Sequence, residues 1–135
     1  VIEVRAASPE HYPWIAQKAN LVISNVFRAL EAVSGDRILG MVGYDAWTPN
    51  SCAMHVAIEE PIAIRRLIHK AFEIPFVSFG RGVIFGSVLS TNPRALALDL
   101  HLGFRELARL RDAWMVGIDL ILLEMRREDC RWLRK

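Results

Sequence analysis

Apolar and polar positions alternate with a period of two in several short stretches of this chain and with a period near 3.6 in others, and the two rhythms separate strands from helices. Ile2-Glu3-Val4-Arg5 alternates as an opening strand. Ser8-Pro9-Glu10 then reads as a helix start, with proline where no N–H is needed, and predicts a helix to about Ala19. Leu21 to Val33 carries both rhythms: Val22, Val26, Ala29, Leu30 and Val33 fit a helical stripe, while Phe27, Ala29, Glu31 and Val33 alternate. The turn residues Ser34-Gly35-Asp36, and the stretch Arg37 to Trp47 that is apolar on both faces, decide for a hairpin. Phe27 to Val33 is therefore read as a strand.

Thr48-Pro49-Asn50-Ser51 turns the chain again, and Cys52 to Ile58 alternates as the third strand of an antiparallel meander. Glu60-Pro61 opens a helix whose apolar positions Ile64, Leu67, Ile68, Ala71 and Phe72 share one face, and which should end before Pro75. Val83 to Leu89 is a further strand, and Arg105 to Trp114 and Ile118 to Arg126 predict two more. The expected architecture is α/β in the broad sense (α+β), a mixed, mostly antiparallel sheet flanked by helices, in a single domain over 1–135. No linker, repeat or low-complexity tract divides it.

Composition narrows the partners. The chain has 135 residues, 53% of them hydrophobic, enough for a substantial core, and its 17 basic and 15 acidic residues leave a formal net charge of +2. No basic stripe suited to a phosphate backbone is present, so nucleic acid is not the expected partner. No uncharged run approaches the ~18 residues of a membrane span, and Glu3 and Arg5 interrupt any signal-like N-terminus. Cys52 and Cys130 stand far apart with no metal-ligand spacing, which fits reduced thiols, a cytoplasmic location and no metal site. Gly80-x-Gly82-x-x-Phe85 lacks the third glycine of a dinucleotide-binding turn.

The most informative run is Ser90-Thr91-Asn92-Pro93-Arg94-Ala95, closed by Leu102-Gly103-Phe104. Asn92 is a good N-cap, Pro93 suits the first helical position, and Gly103 supplies a left-handed terminator. Those residues by themselves describe a strand–helix–strand junction. Together Asn92, Arg94, Ala95, Leu98, Leu102, Gly103 and Phe104 resemble the signature of the N-acetyltransferase (GNAT) superfamily, and the order of elements over nearly the whole chain is similar to that family's layout. The compact, motif-poor pattern also resembles GNAT-type proteins from bacteriophages.

The resemblance implies an acyl-CoA-dependent N-acyltransferase with acetyl-CoA as donor and a small-molecule or peptide amine as acceptor. It further implies that the strands Cys52 to Ile58 and Val83 to Leu89 splay apart, with the pantetheine arm between them. Backbone groups of Val56, Ala57 and Ile58 would then serve the donor, with Asn92 at the end of the neighbouring strand. The glycine-rich pyrophosphate loop of the family is replaced here by Glu59-Glu60-Pro61-Ile62-Ala63-Ile64-Arg65-Arg66. Arg65 and Arg66 are the residues available to compensate. Glu59 or Glu60, just beyond the strand, is the expected general base. Asp99 stands where many relatives place a tyrosine acid, and as an exposed, ionised carboxylate it is not expected to act as one. His55 alternates with Ala53 and Ala57, opposite Met54 and Val56, which makes it a candidate cleft residue, with a structural role the expected one. Trp14, Trp47, Trp114 and Trp132 are candidates for an acceptor site, and the Arg-rich tail Glu124 to Lys135 for a partner-facing end. The missing loop and tyrosine favour a second reading, a GNAT-fold binding or assembly module without catalysis.

Overall fold

The computed structural model describes residues 1–134. Strand β1 (Glu3–Ala6) leads through a 3₁₀ turn (Pro9–His11) into helix α1 (Tyr12–Ala19), then the meander β2 (Arg28–Ser34), β3 (Arg37–Asp45) and β4 (Ser51–Ile58). Helix α2 (Ile62–Glu73), strand β5 (Val83–Leu89), helix α3 (Pro93–Leu102) and the hairpin β6 (Arg105–Met115) and β7 (Ile118–Arg126) complete the order. The ambiguous segment is a strand, because its residues pair: Leu30 lies opposite Val42 and Ala32 opposite Gly40. The start at Ser8 differs from expectation, since the first turn is 3₁₀ and the Ser8 side chain caps nothing.

All strands join one seven-stranded sheet in the order β1-β2-β3-β4-β5-β7-β6. Helices α2 and α3 cover one face, where Leu30, Val42, Met54, Leu67, Phe72, Ile84 and Leu102 share a core. Helix α1 covers the other face of the first half, over Phe27, Met41 and Ala57. Gly43 makes this second core possible, because a Cβ there would fall 2.2 Å from the Phe27 ring. The buried Glu31 carboxylate ties the N-terminal segment to the sheet, accepting from Arg5 Nε at 2.8 Å and meeting His11 Nδ1 at 2.8 Å.

Helix α2 ends at Glu73 as expected, but the chain continues as a π-helical turn through Ile74–Ser78 that contains Pro75. Proline has no N–H for the carbonyl four residues earlier, that of Ala71. The buried Tyr44 hydroxyl donates to that carbonyl instead, at 2.5 Å. Tyr44→Phe should leave the Ala71 carbonyl buried and unpaired, lowering stability by about 1–3 kcal/mol. Chemical denaturation measures it, and an unchanged midpoint would contradict this account.

The parallel pair β4–β5 is the exception in an otherwise antiparallel sheet. Its register runs Ser51 to Val83, Cys52 to Ile84 and Ala53 to Phe85, and stops. The N-terminal ends are tied by the Asn50 carbonyl, which accepts from Gly82 and Val83 N–H at 3.1 Å each. Beyond Ala53, β4 continues along β3 to Ile58, whereas β5 follows β7 to Leu89. Each strand keeps its antiparallel partner, and the two halves of the sheet diverge.

Candidate functional site

The divergence opens a cavity of about 150 Å³. Met54, His55 and Val56 line it from β4, and Gly86 to Leu89 from β5. Asn92, Ala95, Leu98 and Asp99 close one side from α3, while Lys18 to Leu21, at the end of α1, and Trp114 close the other. An apolar groove between α2 and α3, lined by Ile58, Ile64 and Leu67 among others, shares Met54, Val56 and Leu98 with the cavity. The groove and the cavity thus flank the same three side chains.

Helix α3 carries the first functional group. Asn92 Oδ1 accepts from the Ala95 N–H at 3.1 Å, and at the far end Gly103 adopts φ 112° while Phe104 N–H donates to the Asp99 carbonyl at 3.0 Å. Between these stops the spacing of Ala95, Leu98 and Asp99 turns all three toward the cavity. The expectation of an exposed, ionised Asp99 is thereby overturned. Burial raises its carboxyl to about 7, since no cation compensates the desolvation.

On β4, His55 lies on the opposite sheet face from Met54 and Val56, the face covered by α1. Its Nε2 is 2.7 Å from Asp45 Oδ1. Asp45 pairs in register with Ala53, two residues before His55, so both side chains share a face. The cross-strand partner of His55 is Gly43, and the Phe27 ring that occupies the space above Gly43 lies 6.4 Å from the imidazole, centroid to centroid. His55 is thus held by a carboxylate and an aromatic ring at the cavity wall.

The structure brings neither Glu59 nor Glu60 into the cavity. Glu59 accepts from Lys18 Nζ at 2.8 Å, and that bond holds its carboxyl below the ordinary range. Glu60 accepts from Arg37 Nη2 at 2.5 Å. Both pairs are solvent-exposed. Val56 and Asn92 line the cavity, Ile58 lines the apolar groove, and Ala57 turns to the α1 face. Arg65 and Arg66 stand exposed on the first turns of α2, without an ion-pair partner among the described residues. The turn before them offers few backbone donors. Glu59 and Glu60 N–H both donate to the Leu39 carbonyl, Ala63 and Ile64 N–H close the first helical turn, and Pro61 has none.

Of the tryptophans, Trp114 reaches the cavity. The β6–β7 register jumps from Leu110 opposite Leu120 to Met115 opposite Ile118, and the intervening bulge is held by Asp112 and Asp119, which accept from Gly117 N–H and Asp112 N–H. Trp14 sits under Lys18, Trp47 packs on Phe79, and Trp132 donates to the Leu102 carbonyl. The tail is folded onto α2 and α3 through Trp132 and an ion pair of Arg134 with Glu73; Lys135 lies outside the described residues. The Cys52 thiol is buried and pushed up to about 12, which leaves it inert, and among the described residues no group of side chains could hold a metal ion. No helix among them is long and apolar enough to cross a membrane.

No protein-family model matches the chain, and no curated protein matches it in sequence. Solved structures do match in fold. The spermidine/spermine N-acetyltransferase SpeG of Vibrio cholerae, in mutant forms, aligns with a TM-score of 0.75 at 16% identity, covering 95% of this chain and 96% of that one. The Vibrio cholerae spermidine N-acetyltransferase in complex with CoA and spermine aligns with a TM-score of 0.74 at 16% identity, over 95% and 96% of the two chains. SpeG from the same organism in complex with manganese ions gives 0.71 at 17% identity over 93% and 92%. This likeness is one of fold, and it bears out the GNAT-type architecture expected from the Asn92 motif and the element order.

Proposed function

We propose that this protein is an acyl-CoA-dependent N-acetyltransferase acting on a small amine. The observation that carries the reading is the gap between β4 and β5, which holds a carboxyl that titrates near neutrality on one side and a carboxylate-bound imidazole on the other. Crystals of a protein with this fold hold CoA together with an amine, spermine.

In this reading the donor enters along the α2/α3 groove, and its pantetheine amides pair with the backbone of Val56, Ala57 and Ile58, which β5 has left. An N–H of this stretch that the pantetheine leaves free stabilises the oxyanion that forms when the amine attacks the thioester carbon. His55 takes the ammonium proton, its ring fixed by Asp45, and Asp99 returns a proton to the departing thiolate. The backbone around Glu59 and Glu60 does not fit the pyrophosphate, because its amides are committed to Leu39 and to the helix. That role falls to Arg65 and Arg66, with the Asn92 cap ordering the opposite wall.

Long side chains lose entropy on binding and are screened by ions, so acetyl-CoA should bind more weakly in high salt. At ~100 times its dissociation constant a ligand adds about 2.7 kcal/mol to stability, several degrees in Tm for a domain of this size. A thermal-unfolding titration with millimolar acetyl-CoA should show that shift in low salt, and Arg65→Ala with Arg66→Ala should shrink it. The committed amides also favour the second reading, a binding module of the same fold. Absence of any shift in low salt would select that module and overturn the enzyme.

A further inference from the structure

We propose that Ser87, His55 and Asp45 form a nucleophilic triad in the same cleft, so that the protein also transfers acyl groups through a covalent acyl-serine and hydrolyses activated esters and thioesters when no amine is present. This goes beyond the direct attack described above, and its ester arm does not depend on acyl-CoA recognition.

Three adjacent strands supply the groups. The last paired residues of β4 and β5 are Ala53 and Phe85, so His55 and Ser87, each two residues further on, face the same side of the sheet just beyond the end of the pairing. Asp45 is opposite Ala53 on β3, which puts it on that face as well. The two backbones are still close where the pairing ends, since a Cβ at Gly86 would lie 3.2 Å from the Met54 carbonyl oxygen. His55 and Ser87 both line the cavity. Ser87 is exposed, and its hydroxyl bonds to no partner among the described residues, His55 included, so acylation requires a side-chain rotation that brings Oγ to His55 Nδ1.

The protonation pattern follows from the chemistry of the pair. An ionised carboxylate only accepts, so His55 Nε2 carries the hydrogen donated to Asp45 across 2.7 Å. Nδ1 then keeps its lone pair and can take the seryl proton. This is the logic of a serine–histidine–carboxylate site with the two ring nitrogens exchanged, recognised by roles and not by sequence order.

In acylation the Ser87 oxygen bonds to the acyl carbon, its proton passes to His55 Nδ1, and the bond from that carbon to sulfur or aryl oxygen breaks. The leaving group departs with the electron pair and receives the proton from the imidazolium. In deacylation water loses a proton to His55 as its oxygen bonds to the acyl carbon, the bond to the Ser87 oxygen breaks, and His55 reprotonates that oxygen. The sum is donor plus water giving a carboxylic acid and a thiol or phenol, with no redox change. An amine in place of water yields the amide.

The test uses the full chain with two donors and no amine, p-nitrophenyl acetate and acetyl-CoA. Quenched samples are digested with trypsin, and the peptide Gly82–Arg94 is fragmented to locate any acetyl group. The expected result is acetyl on Ser87 with release of nitrophenolate. Ser87→Ala should abolish both, Ser87→Cys should retain the adduct as a thioester, and His55→Gln should slow release by about 10²–10⁴-fold. Labelling by the ester alone would uphold the triad while counting against acyl-CoA recognition. Acetylation elsewhere in wild type, no adduct from either donor, or unchanged release in Ser87→Ala would overturn the proposal. Because Ser87 is exposed, its removal does not disturb the core.

Discussion

His55→Gln is expected to lower kcat for acetyl transfer to an amine by about 10²–10⁴-fold, equivalent to about 3–5 kcal/mol of transition-state stabilisation. The glutamine preserves size and hydrogen bonding toward Asp45 but cannot take a proton from the attacking ammonium. In the proposed mode acetyl-CoA contacts the other side of the gap, so the thermal shift produced by acetyl-CoA should survive the substitution. That split, chemistry lost with donor binding intact, separates a base from a residue that only supports the fold. Asp45→Asn should fall in the same direction by a smaller factor, since it leaves the imidazole present but weakens its anchor. Glu59→Gln and Glu60→Gln belong in the same assay, because both carboxylates stand next to β4 and are tied instead to Lys18 and Arg37. Near-normal rates for these two, with His55→Gln impaired, assign the base. The reverse pattern would return the role to the glutamates.

The legible part of this protein was the part encoded in contiguous residues. Asn92, Pro93 and Gly103 announce both ends of α3, and the structure adds only the hydrogen bonds that make them work. The β4–β5 splay followed from the family resemblance, not from any local signal. What stayed hidden depends on register and burial. Asp45 and His55 meet because the turn at Thr48 to Ser51 places Asp45 opposite Ala53, and a shift of one residue would have sent the two side chains to opposite faces. Asp99 reads as an ordinary surface carboxylate on a helix of modest amphipathicity, and only the packing of α3 over the gap desolvates it. Trp114 is delivered by a bulge whose aspartates hold backbone amides, a pattern that looks in sequence like a plain strand ending in a turn. Tyr44 and Pro75 are linked through the Ala71 carbonyl, a relation that no spacing rule contains.

Asp99→Asn should make the protein more stable and less active at once, and the size of the stability gain should depend on pH. The Asp99 carboxyl titrates at about 7 in the folded protein against an ordinary value of 3.8. Below about pH 4 both folded and unfolded chains carry the proton, and the residue makes no difference. Between about 4 and 7 the folded chain holds a proton that the unfolded chain has released, so stability falls as pH rises, by about 1.4 kcal/mol per pH unit. Above about 7 both forms are ionised, and the loss, ~4 kcal/mol, is complete. Asparagine never ionises and never incurs this loss. Tm measured at pH 8 should therefore rise by several degrees in the variant, while at pH 4 the two proteins should melt together. Activity should move the other way. A carboxyl that titrates near neutrality can protonate a thiolate as it leaves, so wild-type kcat should decline as pH rises past 7, and the variant should lose about 10²-fold in kcat and that pH limb with it. Equal melting temperatures at pH 8 would show that the carboxylate is solvated in the cavity, and the acid role would fall with it. A destabilised carboxyl kept beside the gap between β4 and β5 is what a proton donor requires, and the melting curves read its cost directly.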